Sequence, residues 1–116
     1  MKKRKIYISG PMTGLEREEY MKRFLLAEDK LHQTGYKRIC NPINVWACRW
    51  PKFYKLIEWL FGAKGAYNLV LLYDIWLLMR CTDICMLRGY DQSKGSCIER
   101  YVATKMGINI LKNVGV

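Results

Sequence analysis

Histidine is almost missing from this chain: His32 is the only one in 116 residues. The five cysteines are odd in number and show no metal-type spacing. Cys81 and Cys85 lie four apart, but they straddle an expected helix-to-strand junction and would not share a helical face. With one His and no Cys cluster, the pattern argues against a zinc site, and no metal or cofactor is expected. Free thiols in a reducing cytoplasm are the simplest account of the cysteines. Long apolar runs are missing too. Leu69 to Met79 is very apolar, but Asp74 interrupts it, and it falls short of the roughly 20 residues that span a bilayer. After the basic start, only Ile6-Tyr7-Ile8 precedes Ser9-Gly10-Pro11, too short for a signal-peptide core. No repeat, low-complexity segment, internal domain boundary or helix-turn-helix pattern is present. The expectation is one cytoplasmic domain over residues 1–116 with no membrane partner, and nucleic-acid binding ranks last among the readings.

Acids are scarce as well. Asp and Glu number 10 against 20 Lys and Arg, for a net charge of +10. That excess favours anionic partners such as nucleotides, although a solvated basic surface gives the same count. Part of it sits in the opening Lys2-Lys3-Arg4-Lys5. What is plentiful is apolar residue content, 51%, enough for a globular chain with one core.

The apolar residues are arranged as alternating strands and helices. Lys5 to Ser9 reads as a first strand, and Gly10 to Gly14 as a tight loop. Glu16 to Thr34 reads as an amphipathic helix with Tyr20, Phe24, Ala27 and Leu31 on one face. Glu16, Glu18 and Glu19 crowd its first turn, where the helix dipole favours negative charge, and Gly35 stops it. Arg38 to Asn41 is a brief second strand closed by Pro42. Residues 45–65 mix Trp46, Trp50, Phe53, Tyr54, Trp59 and Phe61 with basic residues. Such a mixture can stack a base beside a phosphate or pack a lid or subunit contact, and packing is the favoured reading. Phe53 to Phe61 reads as a short helix and Tyr67 to Arg80 as a longer one. Ile84 to Leu87 is a continuous apolar run, as in a parallel strand covered on both faces. Arg88 to Gly95 is a loop. Ile98, Val102 and Met106 recur at helical spacing before a stop at Gly107, and Ile108 to Leu111 is the last strand. The sum is an α/β sandwich of flavodoxin or Rossmann type, with four or five mostly parallel strands and helices on both faces.

In such a sheet, ligands sit beyond the carboxyl ends of the strands. Two loops fall there. Ser9, Gly10, Pro11, Met12 and Gly14 follow strand one, and Ser93 and Gly95 precede the last helix; both suit phosphate. Glu99 has two readings. Ser96-x-x-Glu99 fits a capping box, with Ser96 as N-cap and Glu99 reaching back to its amide. Alternatively, Glu99 is an ionised, oriented carboxylate aimed at the crevice, which is what glycosyl transfer needs. A second acid must then move a proton, and Asp91 and Asp74 are the candidates. Asp91 also fits as a plain turn residue. Asp74, flanked by Val70, Leu71, Leu77 and Leu78, is either tied to a structural partner or faces a polar cleft. Tyr7 is inside the first strand, where core is the commoner role, but its hydroxyl could steer a carboxylate.

Together these residues resemble the nucleoside 2-deoxyribosyltransferase-like superfamily, nearest to a phage and bacterial branch of small proteins. That branch shows S-G-P-M-[ST]-G (Ser9 to Gly14), N-P (Asn41-Pro42) and D-I-x-x-L with a later Asp (Asp74-Ile75, Leu78, Asp83). It ends with G-[WY]-x-x-S-x-G-[AS]-x-x-E, here Gly89-Tyr90, Ser93, Gly95-Ser96 and Glu99. The match covers nearly all of the chain except residues 45–65, and its last motif is the most specific. The resemblance implies an N-glycosidase or deoxyribosyltransferase acting on 2'-deoxynucleosides or their 5'-monophosphates. It implies Glu99 as nucleophile, with Asp74, Asp91 and Tyr7 in support, and Ser93 and Gly95 on the phosphate. It implies a homo-oligomer, at least a dimer, whose neighbours complete each other's sites. The tryptophans of residues 45–61, outside the resemblance, are the candidates for that contact. The setting it implies is the cytoplasm of a bacterial or phage-infected cell. A reading from another class is a catalytically silent module that senses or sequesters a nucleotide.

Overall fold

The computed structural model describes residues 4–11, 16–44 and 51–112. Its described elements run β1 (Lys5–Ser9), α1 (Arg17–Gln33), β2 (Arg38–Cys40), a 3-10 turn (Pro42–Asn44), α2 (Pro51–Met79), β3 (Asp83–Met86), a second 3-10 turn (Tyr90–Gln92), α3 (Lys94–Met106) and β4 (Asn109–Lys112). The four strands form one sheet in the order β2-β1-β3-β4, and every pairing is parallel. This is the α/β architecture expected, with four strands. Among the described residues no helix is long and apolar enough to cross a membrane.

Strand alternation decides which side chains meet, because successive residues of a strand point to opposite faces. Ile6 and Ile8 go to one face, where Phe24, Ala27 and Leu31 of α1 join Cys85 and Leu87 in a buried cluster. That confirms the apolar stripe read on α1. Tyr7 goes to the other face, into a cluster with Leu78, Cys81, Ile84, Met86, Ala103 and Ile108 under α2 and α3. Ser9, two residues on, shares the Tyr7 face. The sheet therefore has a helix layer on each side, and β1 sends its polar side chains toward α3.

The Asn-Pro motif after β2 has a structural use. Asn41 Nδ2 donates to the Phe24 carbonyl at 3.3 Å, and its Oδ1 accepts from the Ile43 amide at 3.2 Å. One buried side chain thus ties the end of β2 to α1.

The two helices expected over 53–61 and 67–80 are present as the two arms of α2, which meet in a kink at Gly62, whose φ of 79° and ψ of 166° leave the helical region. Glycine takes that conformation without a Cβ penalty, so the chain turns there without a loop. The last helix starts at Lys94, not Ser96. Ser93 is its N-cap and accepts from the Ser96 amide at 3.4 Å. Ser96 is thus the third helical residue, and the capping box does not form. At the other end Gly107 takes the left-handed conformation, φ 72°, as expected of a stop.

Candidate functional site

The order β2-β1-β3-β4 reverses direction at β1 and β3. The chain leaves β1 for β2 on one side through α1, then returns past β1 to β3 through α2. A crevice opens at the carboxyl ends of the two strands flanking such a switch point, since their following loops diverge. A cavity of about 330 Å³ lies there. Ser9 and Gly10 form its floor at the end of β1, and Ser93, Gly95, Ser96 and Glu99 enter from the start of α3. Tyr67, Val70, Leu71 and Asp74 form a wall from α2. Their i, i+3, i+4, i+7 spacing puts all four on one helical face. Tyr7, Tyr20 and Tyr54 add phenol rings.

Glu99 lines the cavity and is 6% exposed. Ser9 Oγ donates to its Oε1 at 2.9 Å. Burial pushes its pKa up to about 7, against the pull of Tyr7 and Ser9, which favour the charged form. Asp74 is pushed further, to about 8, by burial first and then by the nearby Glu99 charge. Tyr7 is held well above its usual value by burial and by both acids. No basic side chain lines the cavity among the described residues, so nothing positive offsets the desolvation of the two carboxyls. A pair of acids with separated proton affinities is the usual arrangement for one ionised and one protonated carboxyl.

Three buried side-chain atoms among the described residues have no hydrogen-bond partner: Asp74 Oδ1, Ser96 Oγ and Glu99 Oε2. All three belong to residues lining this cavity. A buried unsatisfied polar atom costs about 1–3 kcal/mol, so three around one cavity favour a polar ligand.

A second, larger concavity of about 500 Å³ lies at the opposite end of the strands, beside Arg4 and residues 34–38. There Arg4 already pairs with Asp83 at 3.1 Å and donates to the Tyr36 hydroxyl at 2.7 Å. Burial works against the Asp83 charge, but hydrogen bonds from Arg4 and Thr82 outweigh it and keep the pKa low. That corner has its polar groups matched, and the cavity at the switch point does not.

Residues 4–112 match the family described as "Domain of unknown function (DUF4406)". The chain belongs to that family. No curated protein and no solved structure matches.

Of the residues singled out by sequence, this DUF4406 chain brings Tyr7, Ser9, Gly10, Asp74, Ser93, Gly95 and Glu99 to one cavity. Asp91 is not with them: it is exposed on the Tyr90–Gln92 turn, with Gln92 Nε2 at 3.5 Å from its carboxyl. The acid in the cavity with Glu99 is Asp74. Pro11 does not line the cavity; it packs toward Gly89. Met12 and Gly14 lie outside the described residues, as do Trp46 and Trp50. Sequence reasoning missed Ser96, Tyr67, Tyr54 and Tyr20 as wall residues. For Tyr67 the signal was present, one turn before the Val70 and Leu71 already noted beside Asp74.

Proposed function

We propose that this protein is an N-glycosidase or deoxyribosyltransferase for 2'-deoxynucleosides or their 5'-monophosphates, with Glu99 as nucleophile. The observation that carries the reading is the convergence of three unpartnered buried atoms, two on carboxyls, around a cavity at the switch point. The motif resemblance supplies the substrate class, and a volume of about 330 Å³ is within the range of small-molecule pockets.

In the proposed reaction Glu99 Oε2 attacks the anomeric carbon. A C–O ester bond forms as the C–N bond to the base breaks. Asp74, protonated near neutral pH, gives its proton to the departing base. Water or a second base then attacks the same carbon, its proton returns to Asp74, and Glu99 is freed. Splitting one displacement into two in this way is the retaining strategy of glycosyl transfer. Tyr7 and Ser9 hold the carboxylate in place, Ser9 at 2.9 Å.

The test is release of free base from deoxynucleosides and their monophosphates, followed by chromatography. The expected result is base release by the wild type and a drop of at least about 10³-fold in Glu99→Ala, the scale typical of a lost nucleophile. Release that survives Glu99→Ala contradicts the reading. Tight binding without release supports the second reading, a silent nucleotide-binding module.

We also propose that the chain works as a homo-oligomer. Ten large apolar side chains are exposed along α2: Phe53, Leu56, Trp59, Leu60, Phe61, Leu69, Leu72, Tyr73, Trp76 and Met79. Patches of that extent on a small protein favour association.

A further inference from the structure

We infer that Ser96 is a substrate-binding residue, and that its hydroxyl takes the oxygen on the 5' carbon of the sugar. The inference rests on the reading of the site given above and adds a residue to which neither the capping motif nor the family motif gives a ligand. Ser96 is 1% exposed, lines the cavity and leaves its Oγ without a partner. A helical serine commonly satisfies its hydroxyl on the carbonyl one turn back. This one does not: Ser93, three residues back, is extended at φ −108° and ψ 119°, and its carbonyl already accepts from the Cys97 amide. The Ser96 amide is satisfied by the Ser93 cap, so it is the side chain alone that waits for a partner.

Position gives the role. Ser96 precedes Glu99 by three residues, so the two side chains share one face of α3, about 4.5 Å apart along the axis. That is the span of a single furanose ring. With the anomeric carbon at Glu99, the opposite substituent of the ring falls at Ser96. The same end of the cavity holds Gly95, where an added Cβ would meet the Tyr67 hydroxyl at 3.1 Å. Tyr67 and Ser96 therefore present two hydroxyls close to the N-terminus of α3, whose dipole also favours an oxygen ligand. The cavity wall has no Lys or Arg among the described residues. The 5' end is held by hydroxyls rather than by a formal charge.

The experiment compares wild type and Ser96→Ala on two substrates, a 2'-deoxynucleoside and its 2',5'-dideoxy analogue, which lacks the 5' oxygen. On the deoxynucleoside, Ser96→Ala should raise KM about tenfold, the effect of one lost hydrogen bond, with kcat changed less than threefold. On the analogue the two proteins should have the same KM. The melting temperature of the unliganded variant should equal or exceed that of the wild type, because the change removes an unsatisfied buried hydroxyl. A lower melting temperature makes Ser96 structural and overturns the inference. So does an equal KM penalty on both substrates. Should neither substrate release base, the proposed reaction fails, and dissociation constants for the same four pairs decide Ser96 by the same pattern. Absence of binding in all four overturns it.

Discussion

Glu99 and Asp74 make the chain's stability and its proposed activity depend on pH in ways that can be worked out in sign. The folded Glu99 has a pKa of about 7 against a reference of 4.5, and Asp74 about 8 against 3.8. Between those limits the folded state keeps protons that the unfolded chain has released. Raising the pH therefore favours unfolding. Their contribution is complete below the reference values and is lost as pH rises through 7 and then 8. The melting temperature of the wild type should fall over that range, and Glu99→Gln or Asp74→Asn should flatten the fall. Activity should trace a bell whose limbs belong to the coupled pair. It rises as Glu99 ionises near 7 and falls as Asp74 loses its proton near 8. In Asp74→Asn the alkaline limb should vanish and the maximum rate should drop, which a pH–rate profile measures. Glu99 and Asp74 were both legible in the sequence. Asp74 was an acid among aliphatics, and Glu99 ended a specific motif. Asp91 shared that motif yet lies on an exposed turn, because loop position beyond a strand does not fix which way a side chain faces. Ser96 was read as a cap because its spacing to Glu99 fits two structures equally well. Only the true start of α3, set by Ser93, separates them.

At the scale of elements, the order of strand, glycine loop and helix was readable because alternation and helical spacing are written directly in the apolar residues. The end of β1 shows what this cannot supply. Gly10 lies so close to the residue that follows β3 that an added Cβ would stand 2.9 Å from both Cβ and Cδ1 of Leu87. The neighbour is anchored near its backbone and cannot swing clear. Gly10→Ala should therefore cost about 1–3 kcal/mol, as overpacking of a tight contact does. Leu87→Ala in the same chain should recover part of that loss, a coupling that denaturant melts of the four proteins in the cycle would read. In the sequence, Gly10 was only a turn residue with a possible phosphate role, since the contact with Leu87 joins the ends of two strands. The two helical pieces expected on either side of residues 62–66 are both there; Gly62 alone leaves the helical region between them, and helix resumes directly after it.

For the whole molecule, charge and apolar surface point outward in different ways. The net charge of +10 suggested anionic ligands, yet no basic side chain among the described residues lines the cavity. The outer face of α2 is the larger feature. Leu69, Leu72, Trp76 and Met79 recur at i, i+3, i+7, i+10 and are all exposed, and Trp59 is 80% exposed. Such a seam matches helix-to-helix packing. A stable dimer needs about 800 Å² buried per partner, which ten large side chains at roughly half exposure supply in order of magnitude. The opposite face of α2 lines the cavity, so a partner copy clamping α2 would also hold Tyr67 and Asp74 in place. The chain should run as a dimer in sedimentation, and Leu72→Glu with Trp76→Glu should yield a monomer with weaker substrate binding. The sequence reading puts the expected contact in residues 45–61. Exposed apolar side chains also run along the later turns of α2, which no periodicity could reveal because that helix is apolar on almost every side.

The account stands on Glu99 forming a bond to the sugar, and that bond can be trapped. A 2'-fluoro-substituted nucleoside slows breakdown of a glycosyl ester more than it slows loss of a good leaving base, so the intermediate accumulates. Incubation with such a compound, followed by digestion and peptide mass mapping, should show one added fluorosugar on the peptide containing Glu99. An adduct on another residue, or base release with no adduct on any peptide, contradicts the central claim.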